Sequence, residues 1–250
     1  MTLLLVQYTV DNQQDASGRR SPLEIKGITE NIAHVLRDRI ITGELKPAAR
    51  LNEAELAAVL GVSRAPIREA LSILEKDSLV ARLPRRGTYV SEMTVDTLEK
   101  VYQVRIMIES FAIDLFEKGG IKNLVDAERA LRLASNLVIP SSEDKDAMLR
   151  YVFAFADFHV GLIKATGNEW LIRFYQSITL NLARFQFICM YVPGLTSQSL
   201  EMHEKILVSL KSGDYARAKT LLTSHIEYTA AFIKQQIEEK DCISHVSPSL

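Results

Sequence analysis

The chain has 250 residues, of which 47% are hydrophobic and 24% charged, a composition typical of a folded globular protein with a substantial core. Its formal net charge of −1 excludes a chain that is basic throughout, although acidic residues elsewhere can offset a small basic surface. The two cysteines, Cys189 and Cys242, form no spaced pair, which argues against a disulfide framework or a cysteine metal site. No segment approaches the roughly 18 uncharged apolar residues of a membrane span, so we expect a soluble, cytoplasmic protein.

The chain opens with a polar segment, and helical patterns follow it. Residues 1–23 include DNQQDASGRRSP, which predicts a mobile arm. Helical periodicity then runs from about residue 24 to 42 and stops at TGELKP. A short second helix, NEAELAAVLG, begins at the cap Asn52 and ends at Gly61.

A third helical pattern precedes a change to the two-residue period of strands. This helix begins after the cap Ser63 and runs to about Asp77. LVARL and TYVSEM then predict two short strands, joined by the turn PRRG. Residues 24–92 therefore predict three helices and a hairpin, which is the order of a winged helix–turn–helix domain.

The rest of the chain carries only helical patterns. The breaks KGG, IPSS, ATGN, VPG and SGD separate six segments with helical periodicity. They are expected at about 95–117, 121–138, 145–165, 168–190, 197–211 and 214–239. We predict an all-α bundle over residues 95–240 and a loose tail at 241–250. The fold class is mostly α, with a small β-hairpin in the first domain.

The third helix has one apolar and one basic face. Its apolar face is formed by Ile67, Leu71 and Leu74. Arg64 and Arg68 lie on the opposite face, near the N-terminus, where a recognition helix meets base edges and phosphates. Arg85 and Arg86 occupy the hairpin turn, from which a wing reaches the neighbouring DNA backbone or minor groove. The segment 61–90 has six basic and three acidic residues, an excess small enough to fit an ordinary solvated surface equally well.

The segment LNEAELAAVLGVSRAPIREALSILEKDSLVARLPRRGTYV resembles the DNA-binding domain of the GntR superfamily of bacterial regulators. The resemblance covers about residues 24–92 and implies binding to double-stranded DNA. The residues expected to contact DNA are Arg64, Ala65, Arg68, Arg85, Arg86 and Gly87. Ser78 stands where the family usually has glycine, and Ala65 stands where threonine is common. Since Ala65 lacks a hydroxyl that can contact DNA, we expect an operator preference different from that of relatives.

Three helices of the predicted bundle each carry one histidine on an apolar face. His159 shares its face with Val152 and Leu162, and His203 and His225 lie on comparable stripes of two later helices. A single histidine in such a place is usually a satisfied core residue. Three in one bundle favour a shared ligand, for which imidazole nitrogens suit zinc, nickel or iron.

Two further polar residues interrupt apolar stripes of the bundle. Arg105 lies between Leu98 and Ala112 on one stripe, which directs a guanidinium into the core. A buried cation needs an anion, and two remain open: Glu109 as a structural partner, or a carboxylate ligand held by two hydrogen bonds. Asn181 gives a weaker signal of the same kind, since it interrupts the stripe Phe174, Ile178, Phe185 and Ile188.

The segments VYQVRIMIES, FHVGLIKATGN and MHEKILVSLKSGDYARAKTLLTSHI resemble the FCD effector domain of FadR-type members of the same superfamily, over about residues 95–238. The resemblance implies that Arg105 and Asn181 bind a small carboxylate effector. It also implies that His159, His203 and His225 bind a divalent metal, zinc or nickel. The family's aspartate ligand is replaced by Phe155, which leaves two alternatives: a three-histidine site completed by water or effector, or loss of the metal. Asp157 lies two residues from His159, on the opposite helical face.

The sequence therefore predicts a transcriptional regulator that binds a palindromic operator as a homodimer, and whose DNA affinity a small effector tunes. We expect it not to be an enzyme. The competing interpretation is a metal-dependent enzyme that uses the three histidines, although no nucleophile–base set or metalloprotease motif accompanies them. A third interpretation is an architectural DNA-binding protein without an effector.

Overall fold

The structure is a computed structural model, which describes residues 24–121, 123–141, 143–189 and 194–246. It divides between Glu92 and Met93 into two compact units. The arm expected at residues 1–23 lies outside the described residues. None of the described helices combines the length and the apolar character that crossing a membrane requires.

The first unit contains the predicted three helices and the predicted hairpin. Its elements are α1 (Glu24–Ile41), β1 (Arg50–Leu51), α2 (Glu53–Leu60), α3 (Arg64–Lys76), β2 (Val80–Leu83) and β3 (Gly87–Val90). Asn52 caps α2, because its side chain accepts a hydrogen bond from the backbone N–H of Ala54. Gly61 ends α2 with a φ of +66°, a left-handed conformation that glycine adopts without steric cost.

The core of this unit lies between α1 and α3. Ile67, Leu71 and Leu74 of α3 are fully buried, as the helical period predicts, and Leu36 and Ile40 of α1 are buried with them. Burial of such a side chain contributes about 1.5–3 kcal/mol to the free energy of folding. Burial of one face of α3 therefore leaves its basic face toward solvent.

The strands form a three-stranded antiparallel sheet in the order β1-β3-β2. The hairpin was predicted, but its second strand begins at Gly87 and ends at Val90 rather than continuing through SEM. Beyond Val90 the N–H of Ser91 still donates to the carbonyl of Leu79, the residue before β2. The prediction missed β1, because two residues are too few to show an alternating pattern.

The second unit contains six helices among its described residues. They are α4 (Val95–Gly119), α5 (Val125–Ser135), α6 (Lys145–Ala165), α7 (Glu169–Cys189), α8 (Leu195–Lys211) and α9 (Tyr215–Val246). Helix α5 is shorter than expected at both ends. The side chain of Asn123 accepts from the N–H of Val125 at its start, and Nδ2 of Asn136 donates to the carbonyl of Arg132 at its end. Helix α9 continues past the expected end near residue 239 and includes most of the expected tail. No glycine or proline precedes Pro248 in that segment to stop it.

Helix α6 lies at the centre of this unit and is buried on nearly all sides from Met148 to Ala165. Its closest neighbour is α5, and the two backbones approach tightly at Gly161. A methyl group added there would lie 2.5 Å from the backbone nitrogen of Ala127. Glycine therefore allows a helix contact that positions α6, and with it His159.

Candidate functional site

The basic face of α3 is open to solvent. Arg64, Ala65 and Arg68 are exposed, whereas Ile67 between them is buried. Ser63 precedes the helix in an extended conformation, but its side chain makes no capping hydrogen bond. The N-terminal turn of α3 thus presents backbone N–H groups and two guanidinium groups on one surface, an arrangement suited to phosphate and base contacts.

Arg68 is held in place by an acidic residue of α2. Its Nη2 lies 3.0 Å from Oε2 of Glu53, and its Nε lies 3.3 Å from the same oxygen. The hydrogen bond and the charge of Glu53 raise the pKa of Arg68. Arg82 of β2 extends the network, since its Nη2 donates to the carbonyl of Arg68 and to the hydroxyl of Ser72.

The hairpin turn presents the other basic residues. Arg85, Arg86 and Gly87 are exposed. Arg85 has a φ of +63° and Gly87 a φ of +107°, so the turn is tight and left-handed at two positions. The hydroxyl of Tyr89 donates to the carbonyl of Arg86 and braces the turn from the strand.

The three predicted histidines converge in the second unit. His159 of α6, His203 of α8 and His225 of α9 are buried, and one ligand nitrogen from each lies within 4.8 Å of the others. Nε2 of His203 and Nε2 of His225 are 3.1 Å apart. Burial lowers the pKa of His203 and of His225 well below the usual range, so both rings are neutral and keep a lone pair.

Glu109 of α4 joins this cluster to Arg105. Its Oε2 lies 2.7 Å from Nδ1 of His159, and its Oε1 accepts from Nε of Arg105 at 2.7 Å. The hydroxyl of Tyr175 donates to the same Oε1 at 2.8 Å. Burial alone would raise the pKa of Glu109, but electrostatic interaction and hydrogen bonding with His159 and Arg105 outweigh burial and lower that pKa to about 2. The carboxylate is therefore ionised.

Arg105 has both a structural partner and unused donors. It is 1% exposed, and only its Nε contacts Glu109. Nη1 and Nη2 are buried and have no hydrogen-bond partner within the described part of the chain. The structure thus shows the pairing with Glu109 that the sequence left open, and it leaves two donors in the fork geometry that carboxylates accept.

Asn181 is buried on α7, but the apolar stripe assigned to that helix is partly wrong. Asn181 is 9% exposed and Phe185 is buried, whereas Phe174 is 62% exposed. The face of α7 that enters the core instead includes Leu171, Tyr175 and Leu182. A run of apolar residues on both sides of α7 makes its inward face ambiguous from the period alone.

A cavity of about 400 Å³ opens beside the three histidines. Phe155 lines it one turn before His159, and its ring lies 5.1 Å from that of Tyr151. Polar residues also line the cavity, including Ser199, Lys205 and Ser224. Arg105 and Asn181 are not among the lining residues. The cavity therefore reaches the imidazoles directly, and Arg105 only through Glu109 and His159.

The donor set fits a divalent metal. Two imidazole nitrogens bound at about 2.0–2.1 Å to one tetrahedral zinc ion lie roughly 3.3–3.4 Å apart, close to the 3.1 Å between His203 and His225. Neutral imidazoles are the form that binds a metal. Asp157 is buried but belongs neither to the histidine cluster nor to the cavity wall. His159, His203 and His225 are thus the residues that would hold an ion.

Sequence reasoning missed several residues of these two sites. Glu53 and Arg82, which hold the recognition helix, come from other elements, and long-range ion pairs leave no periodic signal. Tyr175 was not identified because it lies on a helix whose inward face was ambiguous. The cavity itself depends on the packing of α6, α7, α8 and α9, which a single-helix pattern does not contain.

A winged helix–turn–helix with an exposed basic recognition helix, joined to a separate helical unit, defines a class of DNA-binding regulators. Two family models match the chain: "Bacterial regulatory proteins, gntR family" over residues 28–90 and "FCD domain" over residues 100–228. The chain belongs to the GntR family of bacterial transcriptional regulators, in the group that carries an FCD domain.

Relatives and solved structures agree with this assignment. YdhC of Bacillus subtilis, an uncharacterized HTH-type transcriptional regulator, is 28% identical over 82% of this chain and 90% of its own. The gluconate operon transcriptional repressor of Bacillus licheniformis is 31% identical over 70% of each chain. A GntR transcriptional regulator from Rhodococcus sp. RHA1 superimposes with a TM-score of 0.66 at 26% identity, covering 82% of this chain and 96% of that one. These are regulators, and none of them supports the alternative of a metal-dependent enzyme.

Proposed function

We propose that this transcriptional regulator binds a palindromic operator as a homodimer, and that a small carboxylate bound in the helical unit tunes its DNA affinity. The observation that carries the effector part is the cavity that opens onto three buried imidazoles, which Glu109 links to an arginine with two unused donors. Each buried polar group without a partner destabilises the fold, so this number of buried polar groups favours a binding role over simple core packing.

In the DNA-binding part, Arg64, Ala65 and Arg68 of α3 enter the major groove. Arg85, Arg86 and Gly87 of the hairpin turn contact the adjacent backbone or minor groove. Exposure of these six residues supports the assignment. Fluorescence anisotropy with the DNA upstream of the protein's own gene, compared with scrambled DNA of equal length, tests it. Equal affinity for both would refute specific operator binding.

In the helical unit, His159, His203 and His225 hold a divalent ion, zinc or nickel, and the effector enters through the cavity. Bound there, the ion would supply a positive charge that attracts a carboxylate effector. Phe155 lines the cavity and provides no carboxylate, so the three imidazoles would be the side chains that hold the ion. We assign Arg105, and more weakly Asn181, to holding the effector or its binding site in place.

The homodimer forms through exposed apolar residues of α4 and α7, two helices that pack against each other. These residues are Val104, Met107 and Phe111 on α4, and Trp170 and Phe174 on α7, each 38–67% exposed in the single chain. Large apolar side chains concentrated on neighbouring helices indicate an interface with a second copy. A dimer also supplies the two recognition helices that a palindromic operator requires.

Thermal melts of the metal-free and zinc-loaded protein, with and without carboxylates, test the effector site. Gluconate is a suitable first probe, because two relatives are named for the gluconate operon; acetate, succinate and citrate complete the panel. We expect at least one carboxylate to raise the Tm of the wild type. Arg105→Lys keeps the charge beside Glu109 but lacks the guanidinium fork, and we expect it to lose the response.

The control is Arg150→Lys, which changes an exposed arginine on α6 and leaves the response intact. If no carboxylate of the panel stabilises the wild type, with or without zinc, the proposed effector class is wrong. A full response in Arg105→Lys would exclude Arg105 from the effector site.

A further inference from the structure

The carboxylate of Glu109 is buried where three helices meet. Glu109 is 1% exposed. Its Oε1 accepts hydrogen bonds from Nε of Arg105, on the same helix, and from the hydroxyl of Tyr175 on α7. Its other oxygen, Oε2, contacts only Nδ1 of His159 on α6, at 2.7 Å, among the hydrogen bonds of the described residues. One carboxylate thus holds three side chains from three elements.

The chemistry of this contact determines which nitrogen of His159 carries the proton. A carboxylate accepts hydrogen bonds and donates none, so Nδ1 of His159 must be the donor. The proton on Nδ1 leaves the lone pair of the neutral ring on Nε2. The ring of His159 lies 4.8 Å from that of His203 and 5.5 Å from that of His225, between centroids. Its free lone pair is therefore available to the cluster.

Among the described residues, no carboxylate fixes the tautomer of His203 in the same way. Its Nδ1 is buried and has no hydrogen-bond partner within the described segments, and its Nε2 faces His225 at 3.1 Å. The position one turn before His159, where a carboxylate would face the cavity, is occupied by Phe155. Glu109 is thus the carboxylate that acts on the cluster, and it acts through His159.

We propose that Glu109 is a positioning residue, which fixes the Nδ1–H tautomer and the ring orientation of His159 so that Nε2 is presented to a divalent ion shared with His203 and His225. This inference rests on the metal site of the proposed function. A partner of this kind orients a metal-binding histidine and raises its basicity, and its loss typically lowers metal affinity about 10–100-fold.

The decisive variant is Glu109→Gln. The glutamine carbonyl can still accept from Arg105 and Tyr175, which leaves the amide NH₂ to face His159. An amide N–H can only donate, so Nδ1 must become the acceptor and the proton must move to Nε2. Long-range ¹H–¹⁵N correlation spectra of the metal-free protein distinguish the two tautomers directly. We expect Nδ1–H in the wild type and Nε2–H in Glu109→Gln.

Tyr175→Phe is the matched control. It removes a hydrogen bond to the same carboxylate but leaves Oε2 and its contact with His159 unchanged, so we expect the wild-type tautomer and unchanged zinc affinity. Zinc affinity, measured by competition with a chromogenic chelator, should fall about 10–100-fold in Glu109→Gln. If the Arg105–Glu109 ion pair has a purely structural role, Glu109→Gln will lose stability but keep the wild-type tautomer and zinc affinity.

Glu109→Gln leaves Arg105 without a charged partner, and the variant can fail to fold for that reason. The double variant Arg105→Met/Glu109→Gln removes both charges and carries the same expectation for His159. The proposal is overturned if His159 keeps its proton on Nδ1 in these variants, or if their zinc affinity equals that of the wild type. If the wild type itself binds no zinc, the metal part of the proposed function fails, together with the presentation of Nε2 to an ion. The tautomer spectra then show separately whether Glu109 controls His159.

Discussion

Phe155→Asp places a carboxylate on the cavity wall one helical turn before His159. Helix α6 is continuous from Lys145 to Ala165, so residues 155 and 159 lie on the same face. The aspartate adds an oxygen ligand and a negative charge to three neutral imidazoles. We expect zinc affinity to rise at least about 10–100-fold, the size of effect that even an indirect carboxylate partner exerts.

The same substitution lowers stability without metal. Truncating a fully buried phenylalanine costs about 3–5 kcal/mol, but Phe155 is only partly buried and contacts the ring of Tyr151 at 5.1 Å. We therefore expect a loss of roughly 2–3 kcal/mol, or about 4–12 °C in Tm for a chain of this size. Zinc should return about 1.4–2.7 kcal/mol more stability to the variant than to the wild type, the equivalent of its gain in affinity.

Phe155→Asn is the control for this experiment. Asparagine has the shape of aspartate without its charge, so it should cost the same stability and gain little zinc affinity. Calorimetric titration of zinc and nickel into the three proteins, after circular dichroism has verified their fold, gives the comparison. Equal zinc affinity of Phe155→Asp and Phe155→Asn would refute the reasoning, because it would show that residue 155 does not face the ion.

Three other substitutions test the remaining parts of the structure. Arg68→Ala should weaken operator binding by about 1–3 kcal/mol if the arginine contacts a base. If the arginine contacts phosphate, the slope of log affinity against log salt concentration should fall by about one. Lys76→Ala, at the far end of the same helix, should have neither effect. Gly161→Ala should lower the free energy of unfolding by about 1–3 kcal/mol in chemical denaturation, because its methyl group overlaps the α5 backbone, whereas Gly119→Ala has open space and should not destabilise. Met107→Glu should convert the dimer to a monomer in light scattering, and a dimer unchanged at micromolar concentration would exclude the α4 face from the interface.

The helices could be predicted from sequence because their apolar stripes and their breaks are local signals. The buried face of α3, which is formed by Ile67, Leu71 and Leu74, follows directly from a period of 3.6 residues. The inward orientation of His159, His203 and His225 follows in the same way, and the structure brings these three together. Helix ends were misplaced where no glycine or proline marks them, as at the end of α9.

Interactions between elements could not be predicted in the same way. The carboxylate of Glu109 was one of the two anions left open for Arg105, because the two residues lie four positions apart. Its contact with His159 joins positions 50 residues apart. The pairing of Glu53 with Arg68 and the cavity wall near Phe155 likewise depend on how helices pack. The two-residue strand β1 exists only because β3 offers it an edge.

Under the proposed function, occupancy of the cavity in the helical unit controls operator binding by the winged helix unit. The most direct measurement is the operator Kd of the full chain at fixed salt, in the metal-free form, with zinc alone, and with zinc plus the carboxylate that raises its Tm most. We expect the operator Kd to change by about 5–150-fold, the usual range of coupling between two sites. His203→Asn should abolish this change, while the metal-free variant should bind the operator as the metal-free wild type does. An operator Kd that stays constant while the carboxylate demonstrably binds would contradict the account.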